Sequence, residues 1–228
     1  VGAPGTGVAS EFLGTEAHTD VFHSFGTGLN TLHHDGDGSV FSPGGPLGLS
    51  EGLPFGTAPL GVDAYESNPV GFFPGPFVFW SVDTATAIGN PTYAGGGALP
   101  GDIFISPPVA GYAAGPAIYA SAPMLGLTTT DDVDALEVYD FGTIGALDPS
   151  DVILFSLTPG SPTVMAGLVS PGDILVSSGG GTFGLFLPDF ALGLSVGDNL
   201  NALSVVPEPS TFAALALGCV GFIRRRRR

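Results

Sequence analysis

Lysine is absent from this chain, and all its arginines stand in the last five positions, Arg224, Arg225, Arg226, Arg227 and Arg228. Residues 1–206 hold 15 Asp and 5 Glu with no Lys or Arg, so the body carries −20 with histidine neutral, against −16 for the whole chain. A body without cations excludes nucleic acid as a partner, because phosphate binding depends on cationic side chains that release counterions. It equally excludes an Arg or Lys clamp on a phosphorylated substrate. The single cysteine, Cys219, rules out an intrachain disulfide. Such a body repels itself at low salt and is calmed by cations.

What is abundant is glycine (37) and proline (21), within a chain that is 44% hydrophobic, has a mean hydropathy of +0.41 and contains 17 Phe. A disordered chain is polar and buries too little apolar surface to offset its ordering entropy. This one has the apolar surface, so the glycines and prolines read as punctuation between strands, and the fold class as all-β. No stretch before residue 212 has helical periodicity.

The chain repeats itself. Asp20-Val-Phe-His-Ser24 matches Asp102-Ile-Phe-Ile-Ser106 and Asp173-Ile-Leu-Val-Ser177. Leu-Gly-Leu follows each, at 47–49, 125–127 and 192–194, and reads as a tight turn. Then come Val62-Asp-Ala-Tyr65, Val133-Asp-Ala-Leu136 and Leu200-Asn-Ala-Leu203. The last two copies share an opening strand, Phe77-Val-Phe-Trp-Ser81 and Val152-Ile-Leu-Phe-Ser156, the former apolar on both faces and hence central. The reading is a repetitive body over 1–206, with copies at about 1–66 (incomplete), 77–140 and 152–206, each of four short strands. In copy two these fall near 77–83, 102–106, 116–121 and 133–139; in copy three, near 152–157, 173–177, 183–187 and 200–206. The first copy lacks its opening strand, so the natural chain is expected to extend upstream. Tandem four-stranded units predict either a propeller-like array or a β-sandwich.

The carboxyl terminus is built differently. Pro207, Glu208 and Pro209 precede a charge-free stretch from Phe212 to Ile223, and the five arginines follow. As a helix, its dozen residues span about 18 Å, short of the roughly 30 Å of a bilayer core. The arginines stay cytoplasmic by the positive-inside rule, which puts the body on the other side. The two prolines keep the preceding segment extended, as a protease requires. These three features in this order resemble the PEP-CTERM sorting signal of exported bacterial proteins. The resemblance implies recognition by exosortase, a membrane-embedded protease. It further implies transient anchoring in the inner membrane by the short C-terminal hydrophobic helix over 212–223, removal of the tail, and passage of the body to the cell surface or an extracellular polysaccharide matrix.

Candidate chemistry is sparse. Asp131, Asp132 and Asp134 form one acidic group, and Asp35 and Asp37 another; closely spaced carboxylates among glycine turns can ligate Ca²⁺, which takes six to eight oxygens. Against this, Asp134 and Glu137, on one strand, point to opposite faces, and the Asp35–Asp37 group lacks the distal Glu of an EF-hand loop. The repeat-matched Asp20, Asp102 and Asp173 read as acceptors for turn amides. The four histidines, 18, 23, 33 and 34, lack partners for a zinc site and read as loop residues. Gly179–Gly181 has no following Lys and reads as a hairpin loop. Trp80, Tyr112 and Tyr119 are candidate platforms for sugar stacking, with Trp80 better placed in the core. No catalytic motif is present. The function expected is therefore a non-enzymatic structural or adhesive protein of the surface or matrix, the alternatives being an exported hydrolase or a Ca²⁺- or carbohydrate-binding module with the same tail.

Overall fold

The computed structural model describes residues 21–24, 30–34, 62–66, 78–83, 98–106, 117–143 and 145–203. These form ten strands: β1 (Val21–Ser24), β2 (Asn30–His34), β3 (Val62–Glu66), β4 (Val78–Val82), β5 (Ile103–Ser106), β6 (Ala117–Ala120), β7 (Val133–Tyr139), β8 (Val152–Leu157), β9 (Ile174–Ser177) and β10 (Gly184–Leu187). The only helices among the described residues are single turns: α1 (Ala122–Leu125), α2 (Pro162–Met165) and a 3₁₀ turn over Asp189–Leu192. The described residues are all-β, as expected; the segment 212–223, read as a helix, lies outside them.

The strands assemble as two four-stranded antiparallel meanders, β3-β4-β5-β6 and β7-β8-β9-β10, with β1-β2 as a separate hairpin. The repeated blocks occupy equivalent places. β1, β5 and β9 each pair with the strand that follows, β2, β6 and β10. Even irregularities recur: a bulge at Tyr119 in β6 has its counterpart at Phe186 in β10. His23 lies on β1 and His33 and His34 on β2, rather than in a loop; His18 lies outside the described residues.

The phase of the repeat differs from the sequence reading. The strand over 133–139 closes no sheet with 117–120; it pairs with 152–157 and opens the next sheet. The sheets therefore span 62–120 and 133–187, one strand earlier than copies cut at 77 and 152. The reason lies in Leu125-Gly126-Leu127, which is no hairpin turn but the end of α1. Gly126, at φ 86°, donates its N–H to the Pro123 carbonyl, and Leu127 donates to Ala122. These two bonds define a Schellman cap, which sends the chain away from β6. Leu192-Gly193-Leu194 ends the 3₁₀ turn with the same pair of bonds. Residues 201–203 carry no strand, and 204–206 lie outside the described residues.

The two sheets stack face to face. β7 packs on β3 and β4. Phe79, Ile103, Ile105 and Tyr119 of the first sheet meet Leu136, Val138, Ile153, Phe155 and Leu175 of the second in one core. The opposite face of the first sheet is apolar too: Val78, Trp80, Val82 and Phe104 form a second cluster, with Trp80 stacked on Phe104 at 4.7 Å. β4 is buried along its length, as its unbroken apolar sequence requires. Propeller closure is not seen among the described residues.

Candidate functional site

The aspartates of the body are the groups with most chemical potential, and five of them are built into one recurrent turn. In Leu99–Asp102, Thr128–Asp131, Asp148–Asp151, Ser170–Asp173 and Ser195–Asp198, the N–H of the first residue donates to the carboxylate of the fourth, at 2.7–2.9 Å. The N–H of the fourth donates back to the carbonyl of the first. Four of the turns lead into a strand, β5, β7, β8 and β9, and there the carboxylate fixes where the strand begins.

In four of the five, the second carboxylate oxygen reaches a distant segment. Asp102 Oδ1 accepts from Ala122 N at 2.7 Å, and Asp173 Oδ1 accepts from Asp189 N at 2.8 Å; each acceptor thus holds the first residue of a one-turn helix. Asp131 Oδ1 accepts from Thr163 N at 2.9 Å, and its Oδ2 from the Thr163 hydroxyl at 2.7 Å and the Thr128 hydroxyl at 2.9 Å. Asp151 accepts from Phe141 N and, through Oδ2, from the buried Tyr119 hydroxyl at 2.9 Å, linking the two sheets. The expectation that Asp102 and Asp173 accept from turn amides holds; Asp20 lies outside the described residues.

These environments shift the carboxyl groups in opposite directions. Burial pushes Asp102 above the ordinary 3.8, outweighing its bonds from Ala122 and Leu99. Burial also pushes Asp131 up, but the hydrogen bonds from Thr163 and Thr128 together outweigh it and hold this group below 3.8. Asp134 is raised by burial, only partly offset by the Asn199 amide that donates to it at 2.5 Å. Beside the inter-sheet link, burial raises Asp140, with Asp151 and Asp148 adding to the effect. The Tyr119 hydroxyl is driven far up, first by burial and then by its bond to Asp151, so it stays protonated.

Of the residues singled out from sequence for Ca²⁺, Asp131 and Asp134 have separate partners. Asp131 is engaged by four donors from Thr128 and Thr163, while Asp134 turns to Asn199. The backbone N–H of Asp132 donates to the Ser161 hydroxyl. Among the described residues no group of three or more His, Cys, Asp or Glu is arranged to hold a metal ion. Asp35 and Asp37 lie outside the described residues. Of the sugar-stacking candidates, Trp80 and Tyr119 are buried in the two cores and Tyr112 is outside the described residues. Gly179–Gly181 is the β9–β10 hairpin loop, as read.

Sequence reasoning missed Asp148, Asp151 and Asp198 as members of the same set. The signal was available in the four-residue spacing of Leu99-Pro-Gly-Asp102, Asp148-Pro-Ser-Asp151, Ser170-Pro-Gly-Asp173 and Ser195-Val-Gly-Asp198. It also missed Ser81 and Ser156. The Ser81 hydroxyl accepts from Ala64 N and donates to the Val133 carbonyl; the Ser156 hydroxyl donates to the Leu200 carbonyl.

The sorting residues Pro207, Glu208 and Pro209, the segment Phe212–Ile223 and Arg224–Arg228 lie outside the described residues. No helix among the described residues is long and apolar enough to cross a membrane. Residues 205–228 match the family model of the PEP-CTERM protein-sorting motif. That motif implies an exported protein, anchored transiently at the membrane and sorted through exosortase. No curated protein and no solved structure matches the chain.

Proposed function

We propose that this exported, exosortase-sorted chain delivers a non-catalytic repeat body to the cell surface or extracellular matrix, where it serves as a structural or adhesive element in contact with polysaccharide. One observation carries the reading. The recurrent aspartates are committed, turn after turn, to backbone amides that join one segment to the next. A carboxylate holding two or more amides is a fastener; a general acid or base needs a lone pair or proton free for substrate. The docking of β7, the first strand of the second meander, onto β3 and β4 of the first supports a propeller-like array over a closed sandwich.

Sorting is tested in a host with and without exosortase. The mature body should lose its tail only where the enzyme is present, read by intact mass. Replacing Pro207, Glu208 and Pro209 together with Ala should leave the tail attached and the body in the membrane fraction. A triple variant cleaved and released like the wild type would overturn the role of these residues. For the body, released protein should sediment with the polysaccharide matrix and turn over none of a panel of glycoside and ester substrates. Turnover abolished by a single carboxylate substitution would overturn the structural reading.

A further inference from the structure

The two sheets are equivalent residue by residue, yet their onward faces differ in cover. In the first sheet Tyr119, in the β6 bulge, is 5% exposed and Leu125, at the end of α1, is 0% exposed, because the second sheet lies over them. Their counterparts in the second sheet, Phe186 in the β10 bulge and Leu192 at the end of the 3₁₀ turn, are 55% and 40% exposed. Ile118 and Leu185, equivalent residues on the opposite face, are exposed alike at 51% and 55%. The difference is thus confined to the positions that the sheet–sheet interface covers.

Part of that face is already occupied in the repeat's own manner. The N–H of Val133 donates to the Pro100 carbonyl and its carbonyl accepts from Ser81; Leu200 repeats both bonds with Pro171 and Ser156. The segment after Leu200 therefore starts along the second sheet as β7 starts along the first. In the sequence it is followed by the sorting motif from 205. The β10 side is left bare.

We propose that Phe186 and Leu192 form the centre of a self-association surface, on which a second copy of this chain takes the place that the second sheet takes on the first. Among the described residues, the apolar sets facing the other way are buried: Trp80 and Phe104 in the first sheet, Leu136 and Phe155 in the second. A second copy offers the same Phe186–Leu192 face, and a contact between like faces is two-fold. Both bodies are strongly acidic, so association strengthens as salt screens their repulsion.

The test is sedimentation equilibrium of the full chain in mild detergent, which masks residues 212–223, at low and high NaCl. Wild type should be dimeric and tighter at high salt. Phe186→Asp with Leu192→Asp should weaken the dimer about tenfold or more, as loss of central apolar anchors does, while Ile118→Asp should leave it unchanged. Should the double variant fail to fold, Phe186→Cys in a Cys219→Ser background decides. A short bis-maleimide should then join two chains, and absence of that product would overturn the proposal. So would a dimer indifferent to the double substitution, since that places the contact elsewhere. A wild-type monomer at every salt concentration would also overturn it, leaving the face to a different protein.

Discussion

The Ser81 hydroxyl donates a 3.0 Å hydrogen bond to the Val133 carbonyl, across the boundary between the two sheets. The same oxygen accepts from Ala64 N at 3.1 Å, so one buried side chain ties β3, β4 and β7 together. Ser81→Ala should destabilise the body by about 1–3 kcal/mol, because a buried amide and a carbonyl both lose their partner. Urea unfolding would measure this. Ser156→Ala, which frees the Leu200 carbonyl at the edge of the described fold, should cost less.

The aspartate turns should rank by the number of segments they hold. Asp102→Ala and Asp173→Ala each orphan a local amide and a distant one, and should each cost about 2–4 kcal/mol. Asp198→Ala removes only an exposed bond to Ser195 N and should fall under about 1 kcal/mol. Equal losses at Asp102 and Asp198 would contradict the fastening role.

Glycine at the helix ends is required for two separable reasons. A Cβ on Gly126 would stand 2.7 Å from the backbone of Thr182, and φ is +86°; a Cβ on Gly193 would meet nothing within 4 Å, at φ +77°. Gly193→Ala should therefore show only left-handed strain, about 1–2 kcal/mol. Gly126→Ala adds a backbone clash and should be clearly worse in thermal unfolding.

Stability should depend on pH in two opposed steps. Asp102, Asp134 and Asp140 have raised values, so the folded state binds their protons more tightly than the unfolded chain. Stability then rises as pH falls through those raised values and levels off below 3.8. Asp131 is lowered; its contribution is full above 3.8 and is lost as pH falls through its depressed value. The midpoint should thus peak near about pH 4 and decline below it. Asp131→Asn should weaken the decline on the acid side, as a melting series in matched salt would show.

Calcium provides a further check on the acidic groups. With Asp131 engaged by Thr128 and Thr163, millimolar Ca²⁺ should raise the melting midpoint of the full chain no more than Na⁺ at equal ionic strength. A rise specific to Ca²⁺ would mean a bound ion stabilising the folded state by mass action, with Asp35 and Asp37 the first residues to substitute.

The sequence alone determined what local chemistry determines. Its apolar, glycine-punctuated segments made strands at 78–82, 103–106 and 174–177, and the aspartates before the latter two became acceptors for turn amides. The order of tail features specified the sorting signal, because the short motif is itself what the sorting machinery reads. Only the tertiary structure decided which strands share a sheet. Leu-Gly-Leu allows either a hairpin turn or a helix cap, and the choice rests on bonds from Gly126 and Leu127 to Pro123 and Ala122. Tertiary packing also gave equivalent residues different fates: Tyr119 is covered and Phe186 bare. Cover is supplied by a neighbouring sheet, and residues 184–187 carry no information about whether one follows.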